Sequence, residues 1–245
     1  REFVKFSKYK PIKILAVYGG VGIGSQIKHL KDTDVVIGTP GRILDHIERG
    51  TLDLKNVNFL VLDEADQMLD MGFIKAIKNI IQYTPKSRQT LLFSATISSD
   101  VVHIAKSYMK NPEKIETESH LEKGILHQTY HNVTVGDKFS LLVHLLTHEK
   151  PTVAIVFCAT RKRVNLVEKN LKKYTSVLAI HGGLTQSKRN NIMDLVKNGD
   201  VTVLVATDVA SRGIDVKAVT HVFNYDVPKT SKDYVHRIGR TARAG

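Results

Sequence analysis

Short runs of Val, Ile and Leu recur along the chain at intervals of roughly 20 to 30 residues. The first four are Ile14–Val17, Val35–Ile37, Phe59–Leu62 and Thr90–Phe93, and a second series follows at Val153–Phe157, Val177–Ile180, Val201–Val205 and His221–Phe223. The runs are continuous rather than alternating, which predicts strands covered on both faces, as in a parallel sheet. Between them the apolar positions change to helical spacing. Ile74, Ile77, Ile80 and Ile81 fall on one helical stripe, as do Val164, Leu166, Val167 and Leu171. Strand–helix alternation of this kind implies an α/β fold with right-handed crossovers. The polar stretch Glu116–Gly124, with Leu121 as its one large apolar residue and a glycine at its end, separates the two series. It predicts two domains, residues 1–116 and 125–245, joined by a linker at 117–124.

Unusual polar residues follow directly on the apolar runs. In the first half these are Tyr18-Gly19-Gly20, Thr39-Pro40-Gly41-Arg42, Asp63-Glu64-Ala65-Asp66 and Ser94-Ala95-Thr96; in the second, Thr160, His181-Gly182-Gly183 and Thr207-Asp208. In open α/β sheets, ligands bind at the carboxyl ends of the strands. Each domain is therefore expected to present a polar sheet edge, and the two edges to line a cleft.

Charge sharpens the picture. The 245 residues carry a formal net charge of +12, and the division is uneven: +2 over residues 1–122 and +10 over residues 123–245. A basic half favours a polyanion through counterion release, with an acidic membrane surface or a partnerless solvated face as alternatives on charge alone. Trp is absent and aromatic residues make up 7% of the chain, which suits gripping phosphates better than stacking on bases. A single cysteine, Cys158, excludes an internal disulfide and a cysteine-cluster metal site. No apolar run approaches the roughly 18 residues a membrane span needs, and no apolar segment follows Lys5, Lys8, Lys10 and Lys13 as in a signal peptide. The expectation is a cytoplasmic protein with no membrane contact.

The Phe59–Leu62 run ends in two carboxylates. A strand there would deliver Asp63 to the sheet edge, where it could hold Mg²⁺ directly or through water, while Glu64 could orient or deprotonate an attacking water. The competing reading is a strand end whose acids cap the next helix. Glycine-rich Gly20-Val21-Gly22-Ile23-Gly24 imitates a dinucleotide fingerprint, but the last glycine is missing and no clear helical stripe follows. It also imitates a phosphate loop, with Ser25-Gln26 in place of the required Lys-Ser/Thr. His148-Glu149 lacks the second histidine of a zinc-protease helix.

Asp63-Glu64-Ala65-Asp66 is the signature of the DEAD-box RNA helicases, and the surrounding motifs resemble that family in order and spacing over essentially the whole chain. They run from Tyr18-Gly19-Gly20 and Thr39-Pro40-Gly41-Arg42 through Ser94-Ala95-Thr96 to the stretches ending in Thr160, His181-Gly182 and Gln186-Ser187-Lys188-Arg189, then Ala206 to Asp215 and His236 to Arg243. The resemblance implies two tandem RecA-like parallel-sheet domains that close over ATP and RNA, the first truncated at its N-terminal side and the second at its C-terminal side. It implies Asp63 as the Mg²⁺ residue and Glu64 as catalytic base. Arg240 and Arg243 would be arginine fingers on the γ-phosphate, with Gly213 and Asp215 at the ATP ribose. Asp66, Ser94, Thr96 and His236 would couple the acidic site to RNA. Gly19, Gly20, Thr39, Arg42, Thr160, Gly182, Arg189 and Thr207 would bind the RNA backbone and its 2′-hydroxyls, with weak sequence preference. For His236 and Arg237, pairing with surface acids is the competing reading; for Arg161-Lys162-Arg163, a solvated helix start.

The pattern G-x-x-x-x-G-K-[ST], which cradles a triphosphate, occurs nowhere in the chain. The sequence therefore reads as an interior piece of an RNA helicase. By itself it is expected to hydrolyse ATP negligibly and to expose apolar surface and unpaired strand edges in its first domain. Ala242 stands where the family commonly has glycine, and Ser98-Ser99 replaces the commoner proline. The rival class is a non-catalytic RNA-binding or scaffold protein that retains the motifs. A DNA helicase is more distant.

Overall fold

The computed structural model describes all of the chain except residues 1, 2, 4, 6, 117–125, 212–218 and 242–245. The described chain divides into two compact units, Arg1–Glu116 and Thr117–Gly245.

In the first unit, β1 (Ile14–Val17), α1 (Ile23–Leu30), β2 (Val35–Gly38) and α2 (Pro40–Glu48) are followed by β3 (Phe59–Leu62), α3 (Ala65–Asp70), α4 (Ile74–Gln82), β4 (Gln89–Leu92) and α5 (Ser99–Tyr108). The strands form two separate parallel pairs, β1 with β2 and β3 with β4. Leu60, Leu62 and Leu92 join Ile77, Ile81 and Ile104 in the core beneath them. The expected two-faced burial is not met here. Phe59 is 65% and Val61 53% exposed, so β3 alternates with period two although its sequence is continuously apolar. A two-stranded sheet gives each strand one neighbour, and the α4–α5 layer covers one face, leaving the other to solvent.

Helix starts have local causes. Ser98 caps α5 by accepting from the Val101 amide at 3.3 Å, so the serine in place of the family's proline serves as a helix cap. Gly22 occupies the N-cap of α1. A helix does follow the glycine-rich segment, contrary to the expectation from sequence, and the missing glycine and lysine alone exclude the nucleotide fingerprints.

The second unit comprises α6 (Lys138–Glu149), β5 (Ala154–Phe157), α7 (Arg161–Leu171), β6 (Val177–Ile180), α8 (Gln186–Asn198), β7 (Val203–Ala206), α9 (Asp208–Ser211), β8 (His221–Phe223) and α10 (Ser231–Ile238). One all-parallel sheet runs in the order β6-β7-β5-β8. Here the burial expectation holds for the two central strands, β5 and β7, every residue of which is buried, while the edge strands β6 and β8 are buried only in part. Ile155, Phe157 and Leu204 pack toward Val196 of α8, while Ala154, Val156 and Val205 pack toward Leu142, Val164, Val167 and Leu171 of α6 and α7. Leu166 is 54% exposed and leaves the stripe predicted for α7. Threonines start three of the helices: Thr160, Thr185 and Thr230 accept from the amides of Arg163, Lys188 and Asp233.

Candidate functional site

The acids of the first unit stand at the carboxyl end of β3. Asp63 is exposed and its Oδ1 accepts the Glu64 amide at 2.9 Å. Glu64 takes the left-handed conformation, φ 49 and ψ 45, uncommon outside glycine. It occupies the N-cap position of α3, yet its side chain makes no capping hydrogen bond. The helix-capping reading of the pair thus fails for Glu64, and its carboxylate is held by a turn of a kind that clusters at functional sites.

Asp66 is 1% exposed and reaches across to the end of β4. Its Oδ2 accepts the Thr96 amide at 3.0 Å and the Thr96 hydroxyl at 2.7 Å, while Oδ1 accepts the Gln67 amide at 2.9 Å. The Ser94 hydroxyl donates to the Thr96 carbonyl at 2.7 Å, and Ser94 Oγ accepts the Asp66 amide at 3.3 Å. The parallel register of β3 and β4 explains the meeting, because Leu62 lies opposite Leu92 and both chains turn out of the sheet at one height. Asp66, Ser94 and Thr96 therefore form one closed hydrogen-bonded lock beside Asp63 and Glu64.

The β1–β2 pair does the same for the glycine and threonine motifs. Val17 lies opposite Gly38, so Gly19-Gly20 and Thr39 leave the sheet side by side, and the Thr39 amide donates to the Val17 carbonyl at 3.1 Å. Gly38 must be glycine, since a Cβ there would stand 2.5 Å from Val17 Cγ2 and 2.7 Å from the Val17 carbonyl. Gly20 turns with φ 82. Gly19, Gly20 and Thr39 are exposed. The Arg42 guanidinium instead points inward, donating to the Val21 carbonyl and to Gln26 Oε1 at 3.2 Å.

In the second unit Thr160, Gly182 and Thr207 follow β5, β6 and β7, whose register brings their carboxyl ends together. Thr160 and Gly182 are exposed. Exposed Arg161 lies over the Gly182 turn, its Nη2 3.7 Å from where a Cβ would stand. Arg189 donates to the Ala210 carbonyl at 3.3 Å, which ties α8 to the segment after Thr207. His181 is buried; its Nδ1 accepts the Gly183 amide at 3.1 Å, which assigns the proton to Nε2 and its bond at 2.9 Å to Asn165 Oδ1. Burial, with help from the Arg161 charge, lowers the pKa of this imidazole. Gly213, Asp215, Ala242 and Arg243 lie outside the described residues, as does the 117–124 linker.

His236 sits half-buried on α10, and Arg240 just beyond it is 6% exposed. Arg237, for which pairing with surface acids is the competing reading, does pair with an acid, but as the centre of a buried network at 3% exposure. It forks onto Asp208 at 2.6 and 2.9 Å, donates to Asn224 Oδ1 and the Asp226 carbonyl at 2.8 and 2.7 Å, and lies 4.8 Å from the Phe157 ring centroid. Asp226 in turn accepts the Ala159 amide at 2.9 Å and Lys138 Nζ at 3.0 Å. Burial disfavours the Asp226 carboxylate, but the Ala159 amide and Lys138 outweigh it and hold its pKa below the ordinary value. The Asp208 that follows Thr207 was visible in sequence; its partner 29 positions away was not.

The family description "DEAD/DEAH box helicase" matches residues 1–104, and "Helicase conserved C-terminal domain" matches residues 137–245. Over its full length the chain is 47% identical to the DEAD-box ATP-dependent RNA helicase CshA of Bacillus cereus, covering 47% of that protein. It is 48% identical to the ATP-dependent RNA helicase CshA of Listeria monocytogenes, covering 48% of it. The chain thus spans about half the length of these curated relatives. Among solved structures, S. cerevisiae Dbp5 bound to RNA and ADP BeF3 superposes with a TM-score of 0.80 at 30% identity, over 96% of this chain and 62% of that one.

Proposed function

Since this chain belongs to the DEAD-box RNA helicases, we propose that it carries the RNA-gripping and hydrolytic edges of an ATP-driven machine that separates short RNA duplexes. The observation that carries this reading is the Asp66–Ser94–Thr96 lock. It ties the loop holding the two acids to the end of a neighbouring strand, so a shift at one is passed to the other. In this reading the two domains, joined through 117–124, close on single-stranded RNA in a cytoplasmic setting.

The exposed carboxylate oxygens of Asp63 suit a hard cation that keeps most of its waters, as Mg²⁺ does. Asp63 would hold it and, with ATP, it would supply charge neutralisation on the phosphate oxygens. Glu64 would orient and deprotonate the attacking water. Arg240, and Arg243 beyond the described residues, would stabilise charge on the transferred phosphoryl group, which requires Arg240 to leave its buried position. Gly213 and Asp215 would meet the ribose. Gly19, Gly20, Thr39, Arg42, Thr160, Gly182, Arg189 and Thr207 would form the backbone-directed RNA track, with His236 coupling it to the nucleotide.

Matched RNA and DNA single strands, titrated against the chain at fixed salt, test the reading. Tighter RNA binding is expected, and equal affinity for DNA refutes it. Without a G-x-x-x-x-G-K-[ST] segment the 245-residue chain should release no phosphate above background. RNA-stimulated turnover abolished by Glu64→Gln would overturn that expectation.

A further inference from the structure

Ser25-Gln26 stands where a phosphate loop would carry Lys-Ser/Thr. In the fold, Gln26 is buried on α1 and its carboxamide holds three things at once. Nε2 donates to the Tyr18 carbonyl at 3.2 Å, immediately before Gly19-Gly20. Oε1 accepts Arg42 Nη1 at 3.2 Å and lies 3.0 Å from His46 Nε2. Arginine only donates, so the orientation of the amide is fixed and His46 must carry its proton on Nε2. His46 is fully buried, with Thr51 Oγ1 2.9 Å from its other nitrogen, and burial lowers its pKa.

We infer that Gln26, backed by His46, is a positioning residue that joins the Gly19-Gly20 turn and the Thr39–Arg42 loop into one rigid grip on the RNA backbone. The inference rests on the RNA reading above. Neither side chain needs to touch RNA. Ladder bonding between β1 and β2 ends at Val17 and Gly38, and past that point one bond, from the Thr39 amide to the Val17 carbonyl, still connects the strands themselves. Beyond it, Gln26 bonds to both exposed segments, through the Tyr18 carbonyl and the Arg42 guanidinium. Arg42 serves the same end, because its two donors to the Val21 carbonyl close the Gly20–Gly22 segment against α2.

The test is fluorescence anisotropy of a labelled single-stranded RNA with the 245-residue chain, its Gln26→Met and Gln26→Glu variants, and thermal melting of each. Methionine keeps the length and loses all three hydrogen bonds, so affinity should fall about tenfold. Glutamate keeps the two acceptor contacts and loses the tie to Tyr18, so affinity should fall only about threefold. Imidazole nitrogen shifts should show His46 protonated on Nε2 in the parent chain and in Gln26→Glu, with that preference lost in Gln26→Met. A folded Met variant with unchanged affinity overturns the inference, as does a Glu variant no better than Met. Should the Met variant not fold, the Glu variant decides: wild-type affinity or complete loss overturns it. A parent chain that binds no RNA overturns the RNA reading itself, and this inference with it.

Discussion

Replacing Arg237 with alanine should unfold the second unit well below its normal melting temperature. The guanidinium makes a fork to Asp208 and two further bonds, to Asn224 and the Asp226 carbonyl, at 3% exposure. Removing one partner of a buried ion pair costs about 3–5 kcal/mol, largely because the other charge is left unpaired. The Asp208 side chain retains 32% exposure and can be partly rehydrated, which favours the lower end of that range. Loss of the cation–π contact with Phe157 adds up to about 1 kcal/mol, giving about 3–4 in all. At roughly 3 °C per kcal/mol, the midpoint should fall by about 10 °C. Arg237→Lys keeps the charge but cannot fork, so it should recover no more than about half of the loss. Calorimetric melting of the 245-residue chain with each variant measures this. A fall of less than about 1 kcal/mol, or a lysine variant as stable as the parent, would refute the reasoning. The Asp208→Asn single and double variants close a thermodynamic cycle, and a coupling near zero would be equally damaging.

Asp226 binds its proton less tightly folded than unfolded, so stability rises with pH through its titration. Its contribution should be present above the ordinary value of 3.8 and lost as pH falls below it, a dependence that urea titrations of Asp226→Asn should lack. His181 has a pKa lowered from 6.5, so its neutral ring stabilises the fold above 6.5, and that stabilisation is lost as pH falls through the lowered value. His181→Gln should flatten this part of the stability profile, and an unchanged profile would count against the neutral tautomer. Burial pushes the Cys158 thiol up to about 12, so a thiol reagent at pH 8 should label it only as fast as the second unit unfolds. Rapid native-state labelling would contradict that burial.

The eight strands among the described residues were all legible as apolar runs, with the bounds of β2, β4, β5 and β7 off by one or two residues. The polar motifs at their carboxyl ends were legible for the same reason, since a strand terminus and an abrupt run of Gly, Thr or Asp are both local signals. Partners distant along the chain were not. Nothing near Arg237 announces Asp208, and nothing near Gln26 announces His46, because those contacts depend on how the sheets order themselves. The left-handed backbone at Glu64 was equally invisible, as glutamate carries no preference for it. Arg42, read as a donor to phosphate, also donates to Val21 and Gln26, partners that nothing in its local sequence announces.

The contrast between two parallel pairs and one four-stranded sheet sets two clocks in a single chain. β5 and β7 have a hydrogen-bonded neighbour on each side and lie between helical layers. Their amides can exchange with deuterium only when the whole unit opens. Among the described residues β1 to β4 each have a single neighbour, and Phe59 and Val61 already meet water. The half that carries the acid pair should therefore breathe sooner, while the basic half keeps time more slowly.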